Sequence, residues 1–280
     1  MEQLIRPDSL EEALEFLGRT RARVFAGGTD LMVRHRRHGG LRADLTGDLL
    51  FIDGISELCR IEFTEQEVRI GAGALLSEIE HHPQLPKVLR QSIRGIAAPA
   101  LRNRATLGGN ICNASPAADT VPALHVLDAQ LELRSATARR RVSIAQMITG
   151  PGATLLNSDE LLTEIIFPRL QPELSLYRKV GTRQANALSK LSVAAMATKK
   201  GDNFSEFRIA FGAVAPTVVR CPKLEEMAIG VPMDGPCIEQ ICHGYAELIQ
   251  PIDDQRSSAR YRQRVALNLL KHSLLSLGTL

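Results

Sequence analysis

The stretch FAGGTDL at residues 25–31 carries the clearest structural signal in this sequence, and LRNRATLGGNI at residues 101–111 repeats its main feature. Each contains two adjacent glycines, Gly27-Gly28 in the first and Gly108-Gly109 in the second, beside an apolar, strand-like run. Glycine permits positive φ angles, and its missing Cβ lets backbone N–H groups approach a phosphate closely. Two such loops, roughly 80 residues apart in the chain, are able to hold a pyrophosphate from two sides.

The same two stretches admit a simpler interpretation. An isolated Gly-Gly is most often a tight turn, and neither stretch is a GxGxxG fingerprint or a P-loop with its following lysine. Thr29 and Thr106 would add hydroxyl donors, but the spacing alone is a weak indication of nucleotide binding. No nucleophile elbow, paired carboxylates or Ser/His/Asp order stands out. We therefore expect no catalytic side chain, and any chemistry is expected to come from a bound cofactor.

Length and composition indicate an ordinary globular protein of two domains. The chain has 280 residues, 44% of them hydrophobic and 23% charged, with a formal net charge of +3. These values exclude disordered and fibrous classes and give no indication of a nucleic-acid partner. No apolar run approaches the roughly 18–20 residues of a membrane span, and the first residues contain no apolar signal core. The sequence predicts no membrane span and a cytoplasmic location.

The cysteines and histidines predict no metal centre in this chain. The 5 cysteines form no CxxC pair, and the 7 histidines form no HExxH. Zinc and iron–sulfur sites need clustered ligands, so we expect no metal ligands here and reduced thiols.

Periodicity predicts an α+β protein whose first lobe is a small β-α-β unit within residues 1–53. Ser9 and Glu12 have the spacing of a capping box, and an apolar helical face follows at residues 10–17. A second helix is expected from Leu31 to about His38. The capping box predicts two satisfied backbone amides at the start of the first helix.

The rest of the chain divides into a second lobe at residues 54–168 and a further domain at 173–280. Alternating strands dominate the second lobe, and its Gly- and Asn-rich segment at 99–116 is expected to be a loop. Residues 170–173 are expected to be a linker. Beyond it we expect three strands followed by helices, which is typical of a compact α+β domain. These strands are expected at 175–180, 191–198 and 207–214.

Three further side chains each have two interpretations. Asp119 begins a helix or holds a ribose hydroxyl. His125, flanked by apolar residues, is more often a satisfied, half-buried histidine than a base. Lys179 lies in the middle of a strand, where a solvated lysine is the ordinary interpretation.

Several blocks of sequence stand in one order along the chain and share a pattern with a known family. They are residues 25–31, 70–72, 101–111 with the continuation 113–119, 159–162, 179–183 and 211–217. Together they resemble the FAD-binding (medium) subunit of molybdenum hydroxylases, the xanthine dehydrogenase and carbon monoxide dehydrogenase flavoprotein family. The resemblance covers nearly the whole chain.

This resemblance implies a fold of two domains. Residues 1–168 would form an FAD-binding domain of the vanillyl-alcohol-oxidase (PCMH) type, with lobes at about 1–53 and 54–168 and FAD extended between them. Residues 173–280 would form a smaller α+β domain like the C-terminal domain of the carbon monoxide dehydrogenase flavoprotein. That domain would contain a three-stranded antiparallel sheet and a helical bundle.

The resemblance also implies which residues bind the cofactor. Residues 23–30 and 105–110 would wrap the pyrophosphate, and Asp119 would bind ribityl or ribose hydroxyls. Lys179 would reach the cofactor from the C-terminal domain, with Arg178 as an alternative, because Thr182 stands where a second basic residue is more usual. Ser115 would form a hydrogen bond nearby, and Leu161 would contact the flavin ring through its backbone. The full set of expected cofactor-binding residues is Arg23, Val24, Phe25, Ala26, Gly27, Gly28, Thr29, Asp30, Leu101, Ala105, Thr106, Gly108, Gly109, Asn110, Ser115, Asp119, Leu161 and Lys179.

The function implied by the resemblance is electron transfer in a xanthine dehydrogenase-like enzyme. Electrons would arrive from the two 2Fe–2S clusters of a small subunit and leave through FAD to NAD+, while a large molybdopterin subunit hydroxylates the substrate in a heterotrimer. One alternative is the medium subunit of a carbon monoxide, nicotinate or other aromatic hydroxylase with a different acceptor. A second is a non-catalytic interaction module that has lost FAD, which the intact glycine pairs speak against.

Overall fold

The chain contains both strands and helices, and many strands follow one another directly, as expected of an α+β protein. The computed structural model describes residues 3–36, 44–170, 172–183 and 185–279. The strands are β1 (Leu4–Ile5), β2 (Arg23–Phe25), β3 (Leu49–Phe51), β4 (Ile61–Phe63), β5 (Glu67–Gly71), β6 (Gln130–Arg134), β7 (Arg139–Ser143), β8 (Ile148–Gly150), β9 (Ala153–Thr154), β10 (Leu161–Pro168), β11 (Leu174–Val180), β12 (Leu191–Lys200) and β13 (Asn203–Gly212). The helices are α1 (Leu10–Arg19), α2 (Leu31–Arg34), α3 (Leu76–His81), α4 (Lys87–Arg94), α5 (Pro99–Arg102), α6 (Leu107–Cys112), α7 (Thr120–Val126), α8 (Ile144–Met147), α9 (Pro222–Glu226), α10 (Gly235–Leu248) and α11 (Ala259–Thr279), with a 3-10 turn at Ser56–Cys59.

These elements divide into two units. Unit 1 comprises Met1–Ile79, Ala98–Ala114 and Ala129–Arg169. Unit 2 comprises Glu80–Ala97, Ser115–Asp128 and Leu170–Leu280. Two segments that precede residue 170 in the chain therefore fold with unit 2. Within the described ranges, no helix is long and apolar enough to cross a membrane.

In unit 1, a small parallel sheet with the strand order β1-β3-β2 packs against α1. The predicted apolar face of that helix is buried, with Leu14 only 2% exposed, so this helix prediction is confirmed. Ser9 caps α1 as predicted by accepting from the Glu12 amide at 3.2 Å. The Glu12 carboxylate, however, accepts from the Asp8 amide at 3.0 Å and not from that of Ser9. The second amide is therefore satisfied one residue earlier than a capping box requires.

The larger sheet of unit 1 is antiparallel with the strand order β4-β5-β10-β6-β7. Four of its strands were predicted from their alternation. The central strand β10 has an apolar, β-branched sequence and buries six of its eight residues. The predicted loop at 99–116 is wrong, because α5 and α6 lie within it. Pro99 opens α5 and Thr106 caps α6, but helices of four and six residues are too short to show a periodic face. The predicted helix at 31–38 is observed at Leu31–Arg34, and residues 37 and 38 lie outside the described residues.

Unit 2 is built on the three-stranded antiparallel sheet β11-β12-β13, which confirms the strands predicted for this region. Helices α10 and α11 supply Ile241, Tyr245 and Leu270 to a core shared with β12 and β13. The short helix α7 is buried over its whole length and also belongs to this unit. Pro122 shows how closely it packs, because a Cβ added to Gly212 of β13 would lie 2.9 Å from its Cγ. Of the predicted linker, Gln171 lies outside the described residues.

Candidate cofactor site

The first glycine stretch forms the connection between β2 and α2 in unit 1. Gly28 has φ of +71°, a conformation that a side chain rarely adopts. A Cβ there would also lie 2.3 Å from Cζ of the Phe25 ring, which packs in turn against the tilted ring of Phe51 at 4.8 Å between centroids. Glycine is therefore needed at this position for both backbone conformation and space.

The amides of this loop are open. In the described part of the chain, no group accepts a hydrogen bond from the N–H of Gly27, Gly28, Thr29 or Asp30. Residues 27–29 are only half-buried and Asp30 is exposed, so these four consecutive donors are accessible to water or to an acceptor from outside the chain. Asp30 makes no side-chain cap for α2, which leaves that end of the loop open as well.

The second glycine stretch needs its glycines for a different physical reason. Its amides are already used: Leu107 donates to Ala74 at 3.1 Å, Gly108 to Ala72 at 2.8 Å, and Gly109 to Oγ1 of Thr106 at 3.0 Å. A Cβ on Gly108 would lie 2.7 Å from the Ala72 carbonyl oxygen. The second glycine pair is thus explained by close packing of α6, whereas the open N–H donors belong to the first stretch.

The two stretches lie against each other. A Cβ on Gly27 would stand 1.9 Å from the carbonyl oxygen of Arg104 and 3.0 Å from Cα of Ala105. Arg34 makes a second link, since its Nη2 donates at 3.2 Å to the carbonyl of Asn113 at the end of α6. Segments that are distant in the sequence therefore form one continuous backbone surface in unit 1.

The other predicted residues of unit 1 have different environments. Val24 and Ala26 pack against the core that α1 covers. Leu161 is buried and pairs with Arg134 between β10 and β6, while Leu101 is 44% exposed. Nη1 of Arg23 is buried and has no hydrogen-bond partner among the described residues. A buried cationic nitrogen without an acceptor calls for an explanation, and an anionic ligand supplies one.

In unit 2, Asp119 and Lys179 form a buried ion pair. Lys179 Nζ lies 2.6 Å from Oδ2 of Asp119 and donates at 2.8 Å to the carbonyl of Gly95. Tyr177 and Ser189 donate to Oδ1 at 2.9 and 2.5 Å. The interpretation of Lys179 as a solvated strand lysine is wrong, because only 13% of its side chain is exposed.

The remaining predictions for unit 2 concern Arg178, the helix-start role of Asp119, and Ser115. Arg178 is exposed and, as the adjacent strand residue, lies on the opposite face from Lys179. Asp119 stands before α7 but makes no side-chain cap, so its role as a helix-start residue is not realised by its carboxylate. Ser115 accepts from the Ala117 amide at 3.3 Å.

Two titratable side chains of these segments, His125 and Cys112, have shifted pKa values. Burial and then the charge of Arg220 lower the pKa of His125 to about 4, which keeps it neutral; the side chain is buried, where the sequence predicted a half-buried one. Burial raises the pKa of the Cys112 thiol to about 12. In the ranges that the structure describes, no three His, Cys, Asp or Glu side chains lie together as a metal site would require.

Sequence reasoning did not identify Tyr177, Ser189 or Arg34 as parts of the site. Tyr177 had an available signal, because it lies two residues before Lys179 and so on the same face of a strand. Ser189 and Arg34 had none, since their contacts join segments 70 and 79 residues apart.

Comparison with known proteins identifies the class of both parts of the chain. Residues 1–170 match the family described as the FAD binding domain in molybdopterin dehydrogenase, and residues 176–277 match the CO dehydrogenase flavoprotein C-terminal domain. These matches define an FAD-binding oxidoreductase subunit.

Individual relatives agree with this class. The chain is 32% identical to a putative xanthine dehydrogenase FAD-binding subunit of Escherichia coli (strain K12), covering 95% of this chain and 92% of that one. It is also 32% identical to a glyceraldehyde dehydrogenase medium chain of Sulfolobus acidocaldarius, over 93% and 92% of the two chains. A chain of the carbon monoxide dehydrogenase of Hydrogenophaga pseudoflava superposes with a TM-score of 0.87 at 26% identity, over 97% and 95% of the chains. The protein belongs to the FAD-binding medium subunits of the molybdenum hydroxylase family, which confirms the resemblance found in the sequence.

Proposed function

We propose that this chain holds FAD with the loop at residues 27–30 against the cofactor's pyrophosphate, and passes electrons from a partner's iron–sulfur clusters through FAD to NAD+. The observation that carries the proposal is the row of four open amides beside the positive-φ Gly28. A pyrophosphate is an anion that needs N–H donors and positive charge at close range. The unpaired guanidinium nitrogen of Arg23 supplies charge at the start of the same strand.

The residues present fit this cofactor, and each segment has its own task. The amides of 27–30 donate to the phosphate oxygens, while Gly27 and Gly108 allow the backbones behind them to pack without a Cβ. Thr106 is a further contact from the second stretch. Asp119 and Lys179 bind the cofactor's hydroxyl and polar groups, with Ser115, Asn110 and Leu161 as further contacts. When bound, FAD takes up electrons singly and releases a pair as hydride, and the protein binds it, orients it and tunes its potential.

NAD+ is the proposed acceptor, and similarity to a xanthine dehydrogenase FAD-binding subunit supports it. The test is an anaerobic titration of the FAD-loaded chain with NADH, followed at the visible absorbance of the flavin. Because hydride transfer between the two cofactors is reversible, bleaching by NADH is the expected result. Bleaching by dithionite but not by NADH would contradict the proposal that NAD+ is the acceptor and would leave the proposed FAD site unaffected.

The proposed partners are a small subunit with two 2Fe–2S clusters and a large molybdopterin subunit. Medium chains among the relatives and the lack of CxxC pairs in this sequence support a division of cofactors between subunits. Co-expression with the neighbouring genes is expected to yield a 1:1:1 assembly by size and subunit staining. A chain that purifies without either partner under these conditions would contradict the proposal.

A second candidate function is the medium subunit of a carbon monoxide or aromatic N-heterocycle hydroxylase with another acceptor. Similarity to the carbon monoxide dehydrogenase medium chain of Hydrogenophaga pseudoflava, 28% identical over 275 residues, favours it. Flavin that is retained and reduced by dithionite but indifferent to NADH would distinguish this candidate. An interaction module without FAD is disfavoured, because the open amides at 27–30 then have no acceptor.

A further inference from the structure

The carboxylate of Asp119 is held by more donors than an ion pair needs. Oδ1 accepts from the Tyr177 hydroxyl and from the Ser189 hydroxyl, and Oδ2 accepts from Lys179. An ionised carboxylate has about four lone-pair positions, two on each oxygen. Both positions on Oδ1 are therefore filled by protein, and among the described residues Lys179 alone donates to Oδ2, which leaves one of its positions without a described donor.

The three donors come from strand β11 and from the segment that follows it. Tyr177 and Lys179 project from the same face of β11, and Lys179 is further tied to the Gly95 carbonyl. Ser189 is fully buried, and the next residue, Lys190, donates its amide at 2.8 Å to the Val180 carbonyl. The segment after β11 thus folds back and brings the serine to the carboxylate.

The phenol is a permanent donor in this arrangement. Burial first, and then the charge of Asp119, raise the pKa of Tyr177 well above its ordinary value, so the hydroxyl keeps its proton at all physiological pH values. A buried carboxylate with incomplete partners is costly, whereas a fully bonded one is rigid. The orientation of Asp119 is consequently set by neutral donors on one oxygen and a cation on the other.

We propose that Tyr177 and Ser189 are positioning residues for cofactor binding: they hold Asp119 so that Oδ2, beside Lys179, presents one acceptor position to a single hydroxyl of the FAD sugar or ribityl chain. This inference rests on the proposed function, in which Asp119 contacts FAD. Neither hydroxyl touches the cofactor in this account, and both act through the carboxylate.

The test is the FAD dissociation constant of the full-length chain, measured by quenching of flavin fluorescence. Tyr177→Phe and Ser189→Ala each remove one donor to Asp119 and are expected to weaken FAD binding about tenfold, because hydrogen bonds to charged groups are the stronger ones. Ser189→Thr keeps a hydroxyl and is expected to restore most of the affinity. Matched controls are Tyr245→Phe and Ser273→Ala, buried hydroxyls of the same unit bonded to the Cys221 amide and the Leu269 carbonyl; both are expected to bind FAD as the wild type does.

A double-mutant cycle separates positioning from general support of the fold. If the hydroxyls act through Asp119, Tyr177→Phe and Ser189→Ala change the affinity by less than about twofold in an Asp119→Asn background. Equal losses in both backgrounds, or wild-type affinity for the single variants, would overturn the inference while FAD binding itself stands. A wild-type chain that binds no FAD would overturn the proposed function and this inference with it. Should Tyr177→Phe fail to fold, the three Ser189 measurements decide the question alone.

Discussion

At Gly27 the backbone of one glycine stretch lies against the backbone of the other, and a single methyl group would not fit between them. The obstruction is the carbonyl group of Arg104, whose oxygen and carbon would lie 1.9 and 2.7 Å from a Cβ at this position. Neither atom is the end of a flexible side chain, so the contact cannot relax without moving the loop that carries the open amides. Because the packing is this close, adding even one methyl group at this position is expected to disturb the fold.

Gly27→Ala is therefore expected to lower the free energy of unfolding by about 1–3 kcal/mol, the usual cost of overpacking, and to abolish most FAD retention. Gly18→Ala is the matched control, since a Cβ at Gly18 meets nothing within 4 Å and alanine favours the helix. The measurements are chemical denaturation and flavin absorbance after desalting. Equal flavin retention in the two variants would contradict the role given to Gly27.

His125 predicts a pH dependence of stability. Its pKa is about 4 in the folded chain, against an ordinary 6.5, because burial and then Arg220 oppose the charged form. Between these pH values the unfolded chain binds a proton that the folded chain does not, so the free energy of unfolding falls as the pH falls from about 6.5 to about 4. Below this window the loss is complete.

The check compares wild type with His125→Gln by urea denaturation at pH 7 and pH 4.5. Glu160, whose pKa is held below its ordinary 4.5 mainly by its hydrogen bonds from Arg140, contributes its own loss at lower pH in both proteins. The variant is expected to lose less stability than the wild type over the upper part of the range. Identical losses would mean that His125 is not kept neutral by its surroundings.

At the scale of elements, the sequence predicted best where a periodic pattern was long. The helix at 10–19 was found from its 3.6-residue period, and the strands of the two larger antiparallel sheets were found from their alternation or apolar runs, whereas the two-residue strand β1 was missed. Helices α5 and α6 were missed because neither reaches two turns. Missing α6 affected the prediction of the site, because the amides of the second glycine pair form hydrogen bonds within the protein and were expected to bind the pyrophosphate.

Thr106 is the residue on which α6 depends. Its hydroxyl oxygen accepts from the Gly109 amide at 3.0 Å and so caps a helix that carries two glycines and has little intrinsic stability. Thr106→Ala is expected to lower the free energy of unfolding by about 1 kcal/mol. Thr106→Ser retains a hydroxyl and is expected to keep most of the stabilisation that the cap provides. Thermal unfolding of the three proteins checks this expectation, and an alanine variant as stable as the serine variant would contradict it.

At the scale of the whole molecule, order along the chain and grouping in space differ. Helices α4 and α7 come from the matched FAD-binding region, yet both belong to unit 2. Sequence reasoning predicted Asp119 and Lys179 as cofactor-binding residues only through resemblance to a family. The ion pair itself joins residues 60 positions apart and has no signal in periodicity or composition.

A chain truncated after residue 170 is expected to be poorly folded. In the full chain α7 is buried along its whole length, and its Val126 carbonyl accepts from Arg208 of β13 at 3.0 Å. Without β11–β13 its apolar side chains would be exposed, which favours aggregation. Binding of a hydrophobic dye and the sharpness of thermal unfolding provide the check; a cooperative transition with no dye binding would contradict the expectation.

The central claim, that the open amides at 27–30 receive the pyrophosphate of FAD, is tested most directly by flavin retention. The purified full-length chain is incubated with FAD or with FMN, which lacks the pyrophosphate, then desalted, and the flavin per chain is measured by its visible absorbance. The account predicts about one FAD per chain and little or no FMN. No retained flavin, or equal retention of FMN and FAD, would contradict it.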